Sequence, residues 1–282
     1  MDLFQNKCYF IKKFSKKGNF LPSKSLFWYR KKKMSVDYKP NFVAAGESHK
    51  GCVRSQNEDN FCCAVFPGGY CLAAVADGVG GHSGGDIASY LCCHRLLLDW
   101  KDFFKKNSAP TDAELAGFLD RAIRNANADI HGASQESRQY QFMCTTLAAA
   151  VFTPRMVLVA HVGDSRVYCC RGKSCRQLTV DHTVLNEMYE KGVDDPTQLP
   201  GAHVISRALG SLRHIKIELH SYFHQPGDRF LICSDGLSGC LRENEISNIM
   251  AESAVPRDAC GVFIRETLRR GAVDNVTVVT VF

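Results

Sequence analysis

Apolar residues in this chain come in short runs broken by Gly, Pro and Asn, and the spacing within each run separates strands from helices. Residues 60–66 (NFCCAVF), a Pro67-Gly68-Gly69 turn and residues 70–77 (YCLAAVAD) predict a β-hairpin ending at Asp77. A glycine-rich segment from Gly78 to Gly85 leads into a helix over about 86–106, and Thr111-Asp112 followed by Glu114 starts a second over about 112–137. Strand patterns resume at 144–152 (CTTLAAAVF), turn at Thr153-Pro154-Arg155 and continue through 156–164 and 166–172 to a turn at Gly172-Lys173. Such consecutive strands predict an antiparallel sheet. Residues 183–192 are helical in pattern, and 193–203 form an irregular excursion with two prolines. Residues 215–223, 229–235 and 275–282 return to strand, the last two separated by a helical pair at 243–252 and 256–271. Strands in runs and helices in pairs, without regular β-α-β alternation, predict an α+β domain of antiparallel sheets flanked by helical pairs.

With 45% hydrophobic residues over 282 positions the chain can bury a full core, and one domain over 44–282 is expected. The formal charge of +6 is unevenly spread. Residues 1–40 hold 11 of the 35 Lys and Arg but 2 of the 29 Asp and Glu, which leaves 24 basic and 27 acidic residues beyond them. The basic character belongs to a leader, residues 1–43, and the domain itself lacks the charge of a nucleic-acid binder. That leader, with Lys12-Lys13, Lys16-Lys17 and Lys31 to Lys33, is expected to be a solvated arm, to contact an anionic surface, or to precede a true start at Met34. No run approaches the roughly 18 uncharged apolar residues of a spanning helix, and no signal-peptide core is present. A cytoplasmic monomer is the expectation. The 14 cysteines fall partly in adjacent pairs within apolar runs and never as CxxC, so reduced core thiols are expected rather than a zinc site or a disulfide framework.

Five acidic positions change the picture. Asp77, Asp164 and Asp235 each close a run of small or apolar residues (AAVAD, LVAHVGD, FLICSD), where a buried strand stops and a turn begins; Glu58 and Asp274 lie in short polar segments. Strand ends hold carboxylates rigidly about one point. Hard oxygen donors in such number suit Mg²⁺ or Mn²⁺ rather than zinc or copper, the pattern of a two-metal hydrolase. Taken singly, each motif has a plainer reading: Asp-Gly is a common turn, and Arg54 could be a surface ion pair.

In order, Arg54-Ser-Gln-Asn-Glu58-Asp59, Asp77-Gly78-Val-Gly-Gly, Gly163-Asp164-Ser165-Arg166, Ser234-Asp235-Gly236 and Asp274-Asn275 resemble the motifs of the type 2C metal-dependent protein phosphatases. Leu178-Thr179 with Asp181-His182, and the segment from Val204 to Gly210, resemble the bacterial-type branch and its flap. The resemblance spans residues 45–282. It implies a four-layer α/β/β/α sandwich and an enzyme that hydrolyses phosphoserine and phosphothreonine on the targets of a Ser/Thr kinase. It further implies direct attack by a water held between two Mn²⁺ or Mg²⁺ ions. By the same match Asp77 bridges the ions, the Gly78 carbonyl, Asp235 and Asp274 complete their shells, and Glu58 acts directly or through water. Arg54 is implied as the grip on the substrate phosphate, its planar fork matching two oxygens. Asp59 and Asn275 are implied as supports behind the ligands. Asp164 and Asp235 match positions that hold a third ion in many relatives, where the Asp often found four residues after the second of them is Gly239 here. Eukaryotic relatives carry a histidine acid directly after the Asp-Gly; this chain has Val79, with His82, His161 and His182 as candidates elsewhere. A catalytically inactive regulator that keeps the fold and binds phosphoproteins is the alternative reading.

Overall fold

A computed structural model describes residues 41–79, 84–136, 138–198 and 201–282; the leader's first 40 residues and His82 lie outside the described residues. In chain order the strands are β1 (Ala44–His49), β2 (Asp59–Phe66), β3 (Tyr70–Val79), β4 (Cys144–Thr145), β5 (Leu147–Phe152), β6 (Met156–Val162), β7 (Arg166–Arg171), β8 (Ser174–Gln177), β9 (Glu218–Phe223), β10 (Arg229–Cys233) and β11 (Val276–Val281). The helices are α1 (Gly85–Lys106), α2 (Asp112–Glu136), α3 (Val184–Glu190), α4 (Asp235–Ser238), α5 (Glu243–Glu252) and α6 (Pro256–Arg269). The α2 start follows the predicted capping box: Thr111 N–H donates to Glu114 Oε2 at 2.8 Å, and Glu114 N–H to Thr111 Oγ1 at 3.2 Å.

One sheet runs β1-β11-β10-β7-β8 and the other β2-β3-β5-β6-β9, with β4 on the end of β3, and every pairing is antiparallel. The sheets pack face to face, with Phe152 of β5 and Phe230 of β10 in edge-to-face contact at 4.8 Å between ring centroids. Helix α1 lies on β2 and β3 with α2 against it, while α6 covers β1 and β11 and α5 meets β7 and β8. The result is the expected α/β/β/α sandwich. Burial on both faces explains the near-continuous apolar runs, for every residue of β5 and of β11 is buried.

The structure also departs from the expectations. The strand run over 144–172 does not stay in one sheet: β5 and β6 belong to one, β7 and β8 to the other. The chain crosses between them at Gly163-Asp164-Ser165. Gly163 has φ 99°, and a Cβ there would meet the Thr146 side chain at 2.7 Å, so only glycine fits the crossing. Strand β1 carries no alternation, all six of its residues being half-buried, and its pairing with β11 rather than its own pattern makes it a strand. The reduced-thiol expectation needs correction. Cys170 and Cys175 form a disulfide, because the β7–β8 register sets them opposite one another with Cα atoms 4.1 Å apart. The other described cysteines are free thiols, among them Cys92 and Cys93, buried on α1, and Cys52, which is exposed.

Candidate active site

The acids converge because strand ends do. In the β2–β3 register Asp59 stands opposite Asp77. Asp164 follows β6, Asp235 follows β10 and opens α4, and Asp274 precedes β11. The backbone of this corner is tightly set. Thr146 bonds Asp77 twice, its N–H to the Asp77 carbonyl at 2.8 Å and its Oγ1 to the Asp77 N–H at 3.1 Å. Asn275 is buried and joins β11 to the 50–58 loop: its Oδ1 accepts from Glu58 N–H at 2.8 Å, and its Nδ2 donates to the Lys50 and Gln56 carbonyls, each at 2.9 Å. Gly78 N–H donates to the Glu58 carbonyl at 3.1 Å. Strand β3 runs two residues past the expected stop at Asp77, because Gly78 and Val79 pair with β4; a Cβ on Gly78 would stand 2.3 Å from the Gly85 oxygen and 2.6 Å from that of Glu58, so no other residue fits this strand end.

Electrostatically the corner is strained. The Asp77 and Asp235 carboxyls act directly on one another. Burial, then the charges of Asp59, Asp235 and Asp164, holds the Asp77 carboxyl well above the usual carboxylate range. Asp164 is pushed up to about 7 by burial and by Asp235 and Asp181. Asp59 also rises to about 7: burial and neighbouring Asp235 and Asp274 outweigh the hydrogen bonds from Thr277 and Ser234. Asp235 is raised too, by burial first and Asp274 second. Buried oxygens Asp59 Oδ1 and Asp164 Oδ1 have no hydrogen-bond partner. Crowded anionic oxygens, two of them unanswered, are a donor set for a hard divalent cation.

The remaining expected residues fall as follows. Glu58 lies beside the α1 start, where its Oε2 stands 2.9 Å from the Cβ position of Gly85. Arg54 donates to Asp274 Oδ2 at 2.6 Å, and this bond, then the Asp274 charge, raises the guanidinium pKa. Asp59 bonds Ser234 Oγ at 2.8 Å. Among the described residues no three His, Cys, Asp or Glu side chains close into a ligand group unaided. Asp274 is turned to Arg54, and Asp59 to Ser234. Gly239 lines a polar cavity of about 680 Å³ with Arg166, Arg242 and Arg270.

His161 and His182 stack at 4.4 Å between ring centroids, and burial, then His161, pulls His182 down to about 3. Neutral His182 accepts the Gly163 N–H through Nδ1 at 3.1 Å, so the pair buttresses the sheet crossing. The hydroxyls were not anticipated as site residues. Ser234 Oγ also accepts from Thr277 N–H at 2.9 Å, and Thr146 Oγ1 bonds Ser165 Oγ at 2.7 Å. For Ser165 and Ser234 the only sequence signal is adjacency to Asp164 and Asp235; Thr146 carries none.

Fold and site together define a two-sheet α+β domain with a carboxylate-lined mouth. Residues 45–270 match the family model described as protein phosphatase 2C. The chain is 32% identical over 235 residues to the serine/threonine phosphatase stp of Listeria monocytogenes, covering 82% of this chain and 92% of that protein. It is 30% identical over 234 residues to the protein phosphatase PhpP of Streptococcus pneumoniae, covering 82% and 93%. The crystal structure of the Mycobacterium tuberculosis serine/threonine phosphatase PstP/Ppp superposes with a TM-score of 0.71 at 31% identity, over 85% of this chain and 97% of that one. The chain belongs to the protein phosphatase 2C family, in its bacterial-type branch, and is a protein phosphatase.

Proposed function

We propose that this enzyme hydrolyses phosphoserine and phosphothreonine in protein substrates, the targets of a Ser/Thr kinase, with the aid of two Mn²⁺ or Mg²⁺ ions. The observation that carries the reading is the gathering of Asp77, Asp235, Asp59 and Asp164 in one corner, with Asp59 opposite Asp77 in the sheet and two buried carboxylate oxygens lacking a partner; burial first and neighbouring acids second raise all four, and such a group calls for a cation. Asp77, the Gly78 carbonyl, Asp235, Asp274 and Glu58 would hold the ions. When bound, the ions would supply the positive charge that offsets the phosphate and would activate water for attack on phosphorus.

The protein's own groups do the positioning. Arg54, on an exposed loop, presents paired N–H donors to two phosphate oxygens. Asn275 fixes the loop bearing Arg54 and Glu58, and Asp59 with Ser234 ties β2 to the turn before α4. A third ion at Asp164 would lack the carboxylate that Gly239 replaces.

Metal-free protein titrated with Mn²⁺ and assayed on a phosphothreonine peptide tests the reading. Turnover that depends on Mn²⁺ and disappears in Asp77→Asn and Asp235→Asn is expected. Cation binding without turnover would leave an inactive phosphoprotein-binding regulator instead.

A further inference from the structure

We propose that Val53 and Val273 form an apolar lip that reads the side chain next to the phosphorylated residue, so that favoured substrates carry an aliphatic or aromatic neighbour beside the phosphothreonine or phosphoserine. This rests on the assignment of Arg54 as the phosphate-binding group. The two valines occupy matching positions on segments fastened together on both sides of them. Before them, Cys52 N–H donates to the Ala272 carbonyl at 2.8 Å; after them, Arg54 donates to Asp274 at 2.6 Å. The segments also approach closely at Gly51, where a Cβ would stand 2.1 Å from the Asp274 oxygen.

Val53 is 69% exposed and Val273 70%, and among the described large apolar side chains only Phe142, at 73%, is more so. Neither contributes to the core. A single exposed valine is ordinary, but two on segments joined on either side of them, each next in sequence to Arg54 or its partner Asp274, make a patch where a substrate segment has to pass. A bound phosphoresidue fixes the chain there, and its neighbour's Cα lies about 3.8 Å away, within reach of the lip. The pairing of a guanidinium with flanking methyl groups complements an anionic phosphate flanked by an apolar side chain. A charged neighbour would instead be desolvated against the valines without a partner.

The test compares two phosphothreonine peptides that differ only in the flanking residues, leucine in one and serine in the other, with p-nitrophenyl phosphate as a substrate that has no flanks. The wild-type enzyme with Mn²⁺ should favour the leucine peptide about tenfold in kcat/KM. Val53→Ser combined with Val273→Ser should bring that ratio near one, leaving p-nitrophenyl phosphate turnover and Mn²⁺ affinity unchanged. Both positions are on the surface, so the variant keeps its fold, which its thermal unfolding would verify. A wild-type enzyme indifferent to the flank, or a variant that keeps the preference, overturns the lip while the phosphatase reading stands. Failure to hydrolyse even p-nitrophenyl phosphate overturns both.

Discussion

Strands β7 and β10 lie side by side, and the two ends of that pair meet charge in opposite ways. At the far end Arg171 donates to the two Asp228 oxygens at 2.6 and 2.7 Å, and Gln225 N–H adds a bond of 2.8 Å to a side chain only 1% exposed. At the near end Asp164 and Asp235 flank the same strands beside Asp77 and Asp59, and the guanidinium there, Arg166, is bonded to Asp181. The aspartate at the far end is answered by a planar fork; those at the near end are raised by burial and by neighbouring acids. The far end is therefore organised for stability. The near end holds charge that the fold leaves unbalanced, as a cation site requires.

The same isosteric change should have opposite consequences at the two ends. Asp77→Asn is expected to lower Mn²⁺-dependent peptide turnover by at least about a thousandfold. It should also raise the Tm of the metal-free protein by a few degrees, because it removes a half-buried acid from a like-charged cluster. Asp228→Asn should leave turnover within about twofold and cost about 2 kcal/mol, since it weakens a charge-assisted pair around a buried acceptor. Thermal unfolding in EDTA and the peptide assay read both. Tm shifts of the same sign would dissolve the contrast.

A smaller effect concerns pH. Asp59 and Asp164 sit at about 7 in the fold against an ordinary 3.8. A carboxyl raised on folding contributes stability that is complete below its ordinary value and lost as pH climbs through the folded one. Metal-free protein should thus lose stability between pH 4 and 7 from this corner. Because a cation replaces the protons, Mn²⁺ should raise Tm by several degrees more at pH 8 than at pH 5.5. An equal Mn²⁺ shift at both pH values would argue that the acids do not titrate with the site.

Local signals told most about the fold. The β2–β3 hairpin and the Thr111–Glu114 cap are set by residues within a few positions of each other, and both form where the pattern places them. The move from β6 to β7 was not legible, because a tight crossing through Gly163 has the sequence of a hairpin turn. The Cys170–Cys175 pairing required β8, a strand of four residues with no apolar alternation. For the site, strand-end position singled out Asp77, Asp164 and Asp235, since an acid that ends a buried run is conspicuous. Bonds between distant segments were not legible: Ser234 with Asp59 spans 175 residues, and Arg54 with Asp274 spans 220. Those bonds show which acids already have a partner and which do not.

The Arg54–Asp274 pair is the exception at the near end and yields the smallest expected effect. Asp274 Oδ1 accepts its neighbour Asn275 N–H at 2.8 Å and Oδ2 accepts Arg54, so both oxygens are engaged. On the proposed reading a cation at Asp274 would compete with the guanidinium and would leave Arg54 available to phosphate. With side chains 52% and 34% exposed the pair is worth at most about 1 kcal/mol, so Arg54→Ala should tighten Mn²⁺ binding no more than about fivefold. The KM for a phosphothreonine peptide should rise at the same time, because the phosphate loses its fork. Lys50→Ala, which removes a positive charge from the same loop, supplies the electrostatic baseline. Calorimetric Mn²⁺ titration of the three metal-free proteins decides it: equal tightening in both variants would mean that Arg54 acts only through its charge, and not by holding Asp274.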